Sequence, residues 1–223
     1  MTAVERQLGA LPLQVHLQRL LALLEPVTLR AGQVLHEPGL PIPYVHFPVR
    51  CVVSLLATTQ GPEIGLVGYE GAVGIPLALG MDVSSACARV QTSGTAMRIR
   101  AAHFRKAFPQ CPALQRELLR YASAKLAQAR QTIACNRFHA AEARLARWLL
   151  MTGDRARSDE FLLTQAFLAE LLGVRRATVN ESAGSLHRRQ LIGYSRGKLR
   201  ILDRDGLQAA ACPCYARIEG QCT

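Results

Sequence analysis

Proline and glycine are distributed very unevenly along this chain of 223 residues, and their distribution limits which parts can be helical. Between Val27 and Phe108 a proline or glycine recurs every few residues, whereas neither occurs between Pro112 and Gly153. Proline lacks a backbone donor and glycine is conformationally loose, so ordinary helices do not tolerate the first pattern. The first segment therefore predicts short strands, and the second predicts helices.

Short runs of β-favouring residues lie between the prolines and glycines of the first segment. They are Tyr44–Phe47, Val52–Leu56, Ile64–Val67, Ala86–Gln91 and Ala96–Ile99. Several short strands separated by frequent turns are typical of a small barrel or sandwich. Ahead of them, Pro12–Leu24 has apolar residues at helical spacing and is expected to pack across the mouth of the barrel.

The segment without proline or glycine predicts one long helix over residues 110–137. Its apolar stripe, spaced by three or four residues, consists of Leu114, Leu118, Ala122, Leu126, Ala129 and Ile133. The stripe can pack on the chain's own barrel or on a second copy of the helix, and the length of the helix favours the second copy. A further helix is expected over 140–151, followed by a loop marked by Gly153, Asp154, Ser158 and Asp159.

The charge of the chain is strongly positive, with a net charge of +11 from 27 basic and 16 acidic residues. Residues 175–200 hold seven of the basic residues and only the acid Glu181. Most of the basic residues are arginine, whose planar guanidinium suits phosphates and guanine edges. An excess of this kind attracts polyanions, so nucleic acid is the expected partner and an acidic protein is the weaker alternative.

A helix-turn-helix is predicted inside this basic region. Thr164 can cap a helix whose inward face is Phe167, Leu168, Leu171 and Leu172. Two crossing helices joined by a tight turn need a small residue, a turn glycine and an inward apolar residue at fixed spacing. Ala169, Gly173 four residues later and Val179 six residues after that meet this requirement. Ala177, Ala183 and Leu186 are expected on the inward side of the second helix.

The start of the second helix carries side chains that can read bases. Arginine can bond guanine, asparagine adenine and glutamate cytosine, whereas threonine is expected to hold a phosphate. Leu191–Leu202 predicts a strand, a tight turn and a second strand, which would form a wing beside the groove. The predicted DNA interface is Thr164, Gln165, Arg175, Arg176, Thr178, Asn180, Glu181, Arg196 and Lys198.

The segments Leu163–Asn180 and Leu191–Leu207 resemble the winged helix of the Crp/Fnr transcription regulators. Ala31–Gly39 and Gly65–Gly74 are similar to the cyclic-nucleotide-binding-type β-roll of that family, and the long helix is similar to its dimerisation helix. The resemblance implies an α+β chain. It would have a jelly-roll-like β-roll over 1–108, a dimerisation helix over 109–138 and a winged helix-turn-helix over 139–223.

The same resemblance implies a homodimer that regulates transcription by binding a palindromic operator in double-stranded DNA. It also implies RNA polymerase as a partner and no catalytic activity. The chain departs from nucleotide-binding members, because Val73–Ile75 and Ser84–Ala86 stand where they carry a Gly-Glu pair and an arginine followed by Ser or Thr. Cyclic AMP is therefore not expected to bind tightly, since a buried phosphate needs a cationic partner.

Two further departures from the family concern its sensors and its operators. The first cysteine is Cys51, so the N-terminal cluster of the iron-sulfur members is missing. Ala177 and Glu181 replace the usual Glu and Arg of the recognition helix, so the usual operator sequence is not expected. The effector is not identified by the sequence, and Glu70, Ser84 and Ser85 are its candidate contacts, with a turn-stabilising role as the alternative for Glu70.

Seven scattered cysteines in a chain of this size favour idle thiols in a reducing compartment. Cys212-Pro213-Cys214 lacks the second pair or the histidines that zinc sites need, so no metal or cofactor is expected. The alternative is a redox switch that uses Cys212 and Cys214, or Cys111 and Cys135. His36, His46 and His103 lack the spacing of barrel metal sites; a metal-dependent barrel enzyme with an appended DNA-binding or interaction domain is the competing function.

No segment has the pattern of a signal peptide or the apolar length of a spanning helix, so the sequence predicts a soluble, cytoplasmic protein without a membrane partner.

Overall fold

The computed structural model describes residues 20–195 and 197–222, with side chains as far as Ile218. Most of the helix predicted for Pro12–Leu24 lies outside these residues, and so does Arg196 of the predicted wing. Within the described ranges, no helix is both long enough and apolar enough to cross a bilayer.

The N-terminal part consists of two antiparallel sheets, which together are called the roll below. Its strands are β1 (Glu25–Leu29), β2 (Val34–His36), β3 (Tyr44–Pro48), β4 (Val52–Leu56), β5 (Glu63–Val67), β6 (Cys87–Thr92) and β7 (Gly94–Arg100). One sheet has the order β1-β7-β3 and the other has the order β2-β6-β4-β5. The five predicted runs agree with strands β3 to β7 to within two residues at each end. The sequence did not indicate β1, which contains Pro26, or the three-residue β2.

Helices dominate the remainder of the chain. They are α1 (Ala101–Ala107), α2 (Pro112–Phe138), α3 (Ala141–Ala156), α4 (Gln165–Leu172), α5 (Arg176–Arg188), α6 (Arg204–Ala210) and α7 (Cys214–Cys222). A small sheet of order β8-β10-β9 joins them, formed by β8 (Glu160–Leu162), β9 (Ile192–Ser195) and β10 (Lys198–Ile201). The architecture confirms the predicted α+β fold of a roll, a long helix and a C-terminal helix-turn-helix.

Helix α3 is longer than predicted. Gly153 and Asp154, which the sequence places in a loop, lie inside it, and the helix ends where Arg157 adopts a left-handed φ of 51°. Gly153 is buried, and a Cβ built on it would meet Ile201 Cδ1 at 3.5 Å. Close packing against the small sheet therefore overrides the low helix propensity of glycine at this position.

The apolar stripe of α2 does not stay on one face. Leu114 and Leu118 are buried in the core of the roll, whereas Leu126 is 54% and Ile133 is 70% exposed. Successive steps of four residues drift around a helix of 3.6 residues per turn, which separates the two halves of the stripe. Leu119, 51% exposed, lies seven residues before Leu126, so Leu119, Leu126 and Ile133 form an exposed row along α2.

The roll and the C-terminal helices share one apolar core. Leu56 and Leu66 of the roll lie in the same buried cluster as Leu145 and Leu149 of α3. Polar contacts cross the same boundary, among them Trp148 Nε1, which donates to Glu63 Oε1 at 3.1 Å. Helix α3 is therefore seated directly on the sheet β2-β6-β4-β5, and the helix-turn-helix belongs to the same buried cluster. The predicted boundaries at 108 and 138 remain predictions.

Candidate nucleic-acid interface

Helix α4 is defined by a polar cap at its start and a glycine at its end. The hydroxyl of Thr164 accepts a hydrogen bond from the backbone N–H of Phe167 at 3.1 Å, which satisfies one of the free donors of the first turn. Gly173 ends the helix in the left-handed conformation, with φ of 63°. Ala169 and Val179 are buried, as the predicted crossing of two helices requires. Gln165, at the start of α4, is half-buried.

Helix α5 buries one face and leaves the other to solvent. Its buried residues are Val179, Ser182, Ala183 and Leu186. Its exposed residues at the start include Arg175, Arg176, Asn180 and Glu181, and Thr178 is half-buried.

The expectation that Ala177 faces inward is wrong, because this residue is exposed. It lies two residues before buried Val179, which at about 100° per residue places it on the opposite side of the helix.

The N-cap residue of α5 supplies no side-chain cap to the first turn. Arg175 is at the N-cap position and its side chain accepts nothing from the helix, so backbone N–H groups of the first turn are left for an outside acceptor. A helix start with free N–H groups and adjacent guanidinium groups is a site that can bind a phosphate. Burial raises the pKa of Tyr194 in β9, and the positive charge of Arg176 opposes that rise. Arg176 therefore lies close to the wing.

The wing is formed by β9, β10 and the turn between them, where Gly197 has φ of 79°. Lys198 is 54% exposed and its Nζ lies 2.5 Å from Glu160 Oε2, while Arg200 Nε lies 3.7 Å from Glu160 Oε1. The hydrogen bond and charge of Lys198, together with Arg200, lower the pKa of Glu160. Sequence reasoning missed Glu160, because β8 is a three-residue strand inside a predicted loop. Exposed pairs of this kind contribute little, so Lys198 can exchange its partner for a phosphate.

The helix-turn-helix is held against the roll at the turn between β4 and β5. An open groove of about 720 Å³ lies between this turn and α5, lined by Gln60–Pro62 on one side and by Arg175 and Thr178 on the other. At its edge, Arg89 Nη2 of β6 lies 2.7 Å from Glu170 Oε1 of α4.

Glu70, a candidate effector contact, is engaged inside the protein. Its carboxylate lies 3.0 Å from Arg155 Nε of α3 and 3.4 Å from Lys125 Nζ of α2, and it accepts the Gly68 N–H at 3.0 Å. Burial by itself would raise the pKa of Glu70, but Lys125 and Arg155 outweigh it, so the pKa is lowered. Glu70 therefore ties three elements together, which agrees with the structural alternative more closely than with an effector contact.

The other two candidate effector residues lie in the turn before β6. Ser84 is buried, and its hydroxyl donates to the carbonyl of Ala86 at 2.7 Å, while Ser85 is exposed. The only charged residue of the segment 71–86 is Asp82, which pairs with Arg105. This segment offers no lysine or arginine to a phosphate.

The three histidines considered as metal ligands, His36, His46 and His103, lie in two different environments. His36 and His46 are buried with ring centroids 6.0 Å apart, and His103 is exposed. His36 Nε2 lies 2.9 Å from the carbonyl of Tyr44. Burial, together with His36 and Arg98, lowers the pKa of His46 to about 3, so its ring is neutral near pH 7.

A group of metal-binding residue types lies outside the roll. The ligand atoms of Cys135, His139, Cys212 and Cys214 are all within 4.8 Å of one another. The expectation of idle thiols relied on the lack of further ligands near Cys212 and Cys214, and the fold supplies two of them from the end of α2. The spacing Cys135-x3-His139 was the signal in the sequence, but it stands more than 70 residues before Cys212.

Comparisons with known proteins agree with this architecture. Residues 143–210 match the model of the Crp-like helix-turn-helix domain. FixK2 from Bradyrhizobium japonicum has 17% identity and a TM-score of 0.69, over 85% of this chain and 98% of that one. A Crp/Fnr-family transcriptional regulator from Thermus thermophilus has 24% identity and a TM-score of 0.66, over 84% of this chain and 98% of that one. No curated protein matches the sequence.

The roll, the long helix and the helix-turn-helix are therefore arranged as they are in these solved structures. Residues 143–210 thus form a Crp-like helix-turn-helix domain, and the fold of the chain is similar to that of the Crp/Fnr-family structures. The resemblance stated from the sequence is confirmed.

Proposed function

We propose that this chain acts as a homodimer that binds a palindromic DNA operator through two copies of α5 and the wing. The observation that carries the proposal is the exposed, uncapped start of α5, where Arg175 and Arg176 lie beside free backbone donors. Asn180 and Glu181 follow on the exposed side, so the helix presents groups that can read guanine, adenine and cytosine. Thr164, Gln165, Thr178, Arg196 and Lys198 would hold the backbone phosphates.

Dimerisation is supported by the exposed row on α2. Leu119, Leu126 and Ile133 are each more than half exposed and spaced by seven residues, which is the repeat of a coiled-coil seam. A second copy packed along the row would remove this apolar surface from water. A two-fold axis there would present two recognition helices about 34 Å apart, in successive major grooves.

The effector is proposed to differ from cyclic AMP. Segment 71–86, the counterpart of the family's phosphate cassette, has no basic residue, and Glu70 is already paired with Arg155 and Lys125. A phosphate buried there would be left without a cation. Calorimetric titration with cyclic AMP is expected to show no micromolar site, and a saturable micromolar isotherm would contradict this. RNA polymerase is the proposed protein partner.

The DNA contacts are tested on a duplex selected from a random pool by the full-length protein. Arg176→Ala is expected to weaken binding to that duplex by about 1–3 kcal/mol and to relax the base preference at one position. Lys198→Ala is expected to weaken all duplexes alike and to reduce the slope of log affinity against log salt by about one. Arg30→Ala removes an exposed charge from the roll and serves as the matched control. Binding isotherms that are identical for all three variants would refute the assignment.

The dimer is tested by sedimentation of two matched variants. Leu126→Glu places a charge in the proposed seam, and Leu79→Glu places one at an equally exposed leucine of the roll, since the two side chains are 54% and 53% exposed. Only Leu126→Glu is expected to produce monomers. A wild-type mass of one chain at all concentrations would contradict the proposal.

The competing function, a metal-dependent barrel enzyme, has less support. Across residues 20–195 and 197–218, the one cluster of potential metal ligands lies at the end of α2, outside the roll. We therefore propose the DNA-binding regulator rather than the enzyme.

A further inference from the structure

Cys135, His139, Cys212 and Cys214 meet where the long helix ends, and are called the thiol cluster below. Cys135 is in the last turn of α2, and His139 is the residue that ends this helix in an extended conformation. Cys212 and Cys214 stand on either side of Pro213 at the start of α7. The cluster thus joins two parts of the chain that are distant in sequence.

The spacing of the ligand atoms fits one tetrahedral ion. Zn–S and Zn–N bonds of about 2.3 and 2.0 Å place two sulfur ligands about 3.8 Å apart and a sulfur and a nitrogen about 3.5 Å apart. In the structure, Cys135 Sγ lies 3.4 Å from Cys212 Sγ, and Cys214 Sγ lies 3.4 Å from His139 Nδ1. The largest separation within the cluster is 4.8 Å, so about 1 Å of contraction completes the geometry.

The surroundings of the cluster suit bound thiolates. All three cysteines are buried, whereas His139 is half-buried, so the histidine side of the cluster gives an ion a route from solvent. Gln131 of α2 donates from Nε2 to Cys214 Sγ at 3.0 Å, the kind of outer hydrogen bond that orients a metal ligand.

A buried guanidinium supplies positive charge beside the sulfurs. Arg147 of α3 is 4% exposed, and its positive charge acts on both Cys135 and Cys212. Within the described part of the chain, its side-chain hydrogen bond is to Met151 Sδ at 3.6 Å, and its Nε has no partner. One Zn²⁺ with three thiolates and a neutral imidazole carries a net charge of −1, which this guanidinium offsets.

We propose that the thiol cluster binds a single Zn²⁺ with three cysteine ligands and one histidine ligand. The ion would displace the thiol protons to solvent and would bind His139 through a neutral ring nitrogen. It would hold the start of α7 against the end of α2, beside the extended residues that separate α2 from α3. A four-ligand, closed arrangement of this type is structural rather than catalytic. The proposal concerns the metal alone and does not depend on DNA binding.

A disulfide between Cys135 and Cys212 is the competing use of these residues. A disulfide would use only two of the four residues. It would not account for the short distance between Cys214 and His139 or for the hydrogen bond from Gln131 to Cys214. Iron-sulfur clusters distribute their ligands over several irons, so their sulfurs stand further apart than ligands that share one ion. The compact cluster therefore favours a single ion.

The test uses the full-length protein, reduced and stripped of metal with a chelator, and titrates it with Co²⁺ and then Zn²⁺. We expect one Co²⁺ per chain, with tetrahedral d–d bands and sulfur-to-cobalt charge transfer that Zn²⁺ abolishes. His139→Ala is expected to lower the affinity by more than about 100-fold, and Gln131→Ala by about 10–100-fold. His103→Ala and Cys111→Ala, which change a histidine and a cysteine elsewhere, are expected to bind as the wild type does.

Circular dichroism of each variant checks that it is folded, and Gln131→Ala keeps the test valid if a ligand variant does not fold. Saturating Zn²⁺ at about 100 times the Kd is expected to raise the Tm of the wild type by about 5–10 °C. The proposal is overturned if reduced, folded protein binds no stoichiometric metal. It is also overturned if His139→Ala and Gln131→Ala bind as tightly as His103→Ala does, or if Cys135 and Cys212 form a disulfide in protein that never retains metal.

Discussion

Glu63 is a carboxylic acid buried between the roll and α3, which predicts an unusual dependence of the free energy of unfolding on pH. The side chain is 8% exposed, its Oε1 accepts the Trp148 indole N–H, and its Oε2 has no partner among the described residues. Burial raises the pKa of Glu63 to about 7, and its hydrogen bonding together with the positive charges of Arg147 and Arg155 offsets only part of that effect. Glu63→Gln keeps the shape of the side chain and cannot ionise.

The magnitude follows from the two pKa values of Glu63. In the unfolded chain the group titrates near 4.5, so between pH 4.5 and 7 the native state holds a proton that the unfolded state has lost. Stability therefore falls as pH rises through this window. At about 1.4 kcal/mol for each pKa unit, the interval from 4.5 to 7 corresponds to between about 3 and 4 kcal/mol. The glutamine variant should gain this amount over the wild type between pH 4.5 and 8.

Urea unfolding, followed by the fluorescence of the single tryptophan, measures this difference at pH 5, 6, 7 and 8. Other titrating groups, including His46, are common to both proteins and cancel in the subtraction. Glu37→Gln, which makes the same change at an exposed position of the roll, is the matched control. A difference between Glu63→Gln and the wild type that stays constant from pH 5 to 8 would refute the buried, protonated acid.

Three further substitutions test the contacts that position the interface. Glu70→Ala leaves buried Arg155 without its carboxylate and should lower the free energy of unfolding by about 3–5 kcal/mol at pH 7; a loss below about 1 kcal/mol would contradict the paired role. Gly173→Ala forces a side chain into a left-handed turn and should cost about 1–2 kcal/mol in thermal unfolding, whereas an unchanged Tm would show that the turn can relax. Thr164→Ala removes the cap of α4 and should cost about 0.5–2 kcal/mol in urea unfolding, with Thr164→Ser as the retained-cap control.

The parts of this protein that sequence predicts are those encoded over short distances. Ala169, Gly173 and Val179 specify the crossing of α4 and α5 because a small residue, a left-handed turn and an apolar contact are needed at fixed intervals. Strands β3 to β7 of the roll follow from local β propensity between turn residues. The error at Ala177 also has a local cause, since a small apolar residue does not by itself indicate which face of a helix it occupies.

The parts that sequence does not predict depend on contacts between distant segments. Glu70 meets Lys125 and Arg155 only after the roll packs on α2 and α3, so its loop position alone suggested an effector contact. Cys135 and Cys212 are 77 residues apart, and no spacing rule connects them. The end of α3 likewise depends on tertiary packing around Gly153, which offsets its low propensity.

The buried layer shared by Leu56 and Leu66 of the roll and by Leu145 and Leu149 of α3 predicts that the roll and the C-terminal helices unfold together on heating. Separating the roll from the C-terminal helices would expose this apolar layer to water, at a free-energy cost of about 25 cal/mol for each Å². It would also break the hydrogen bond that the Trp148 indole N–H donates to Glu63. A calorimetric scan should thus display one endotherm. A cavity made in the roll by a large-to-small substitution should then lower the melting temperature of the C-terminal helices as well.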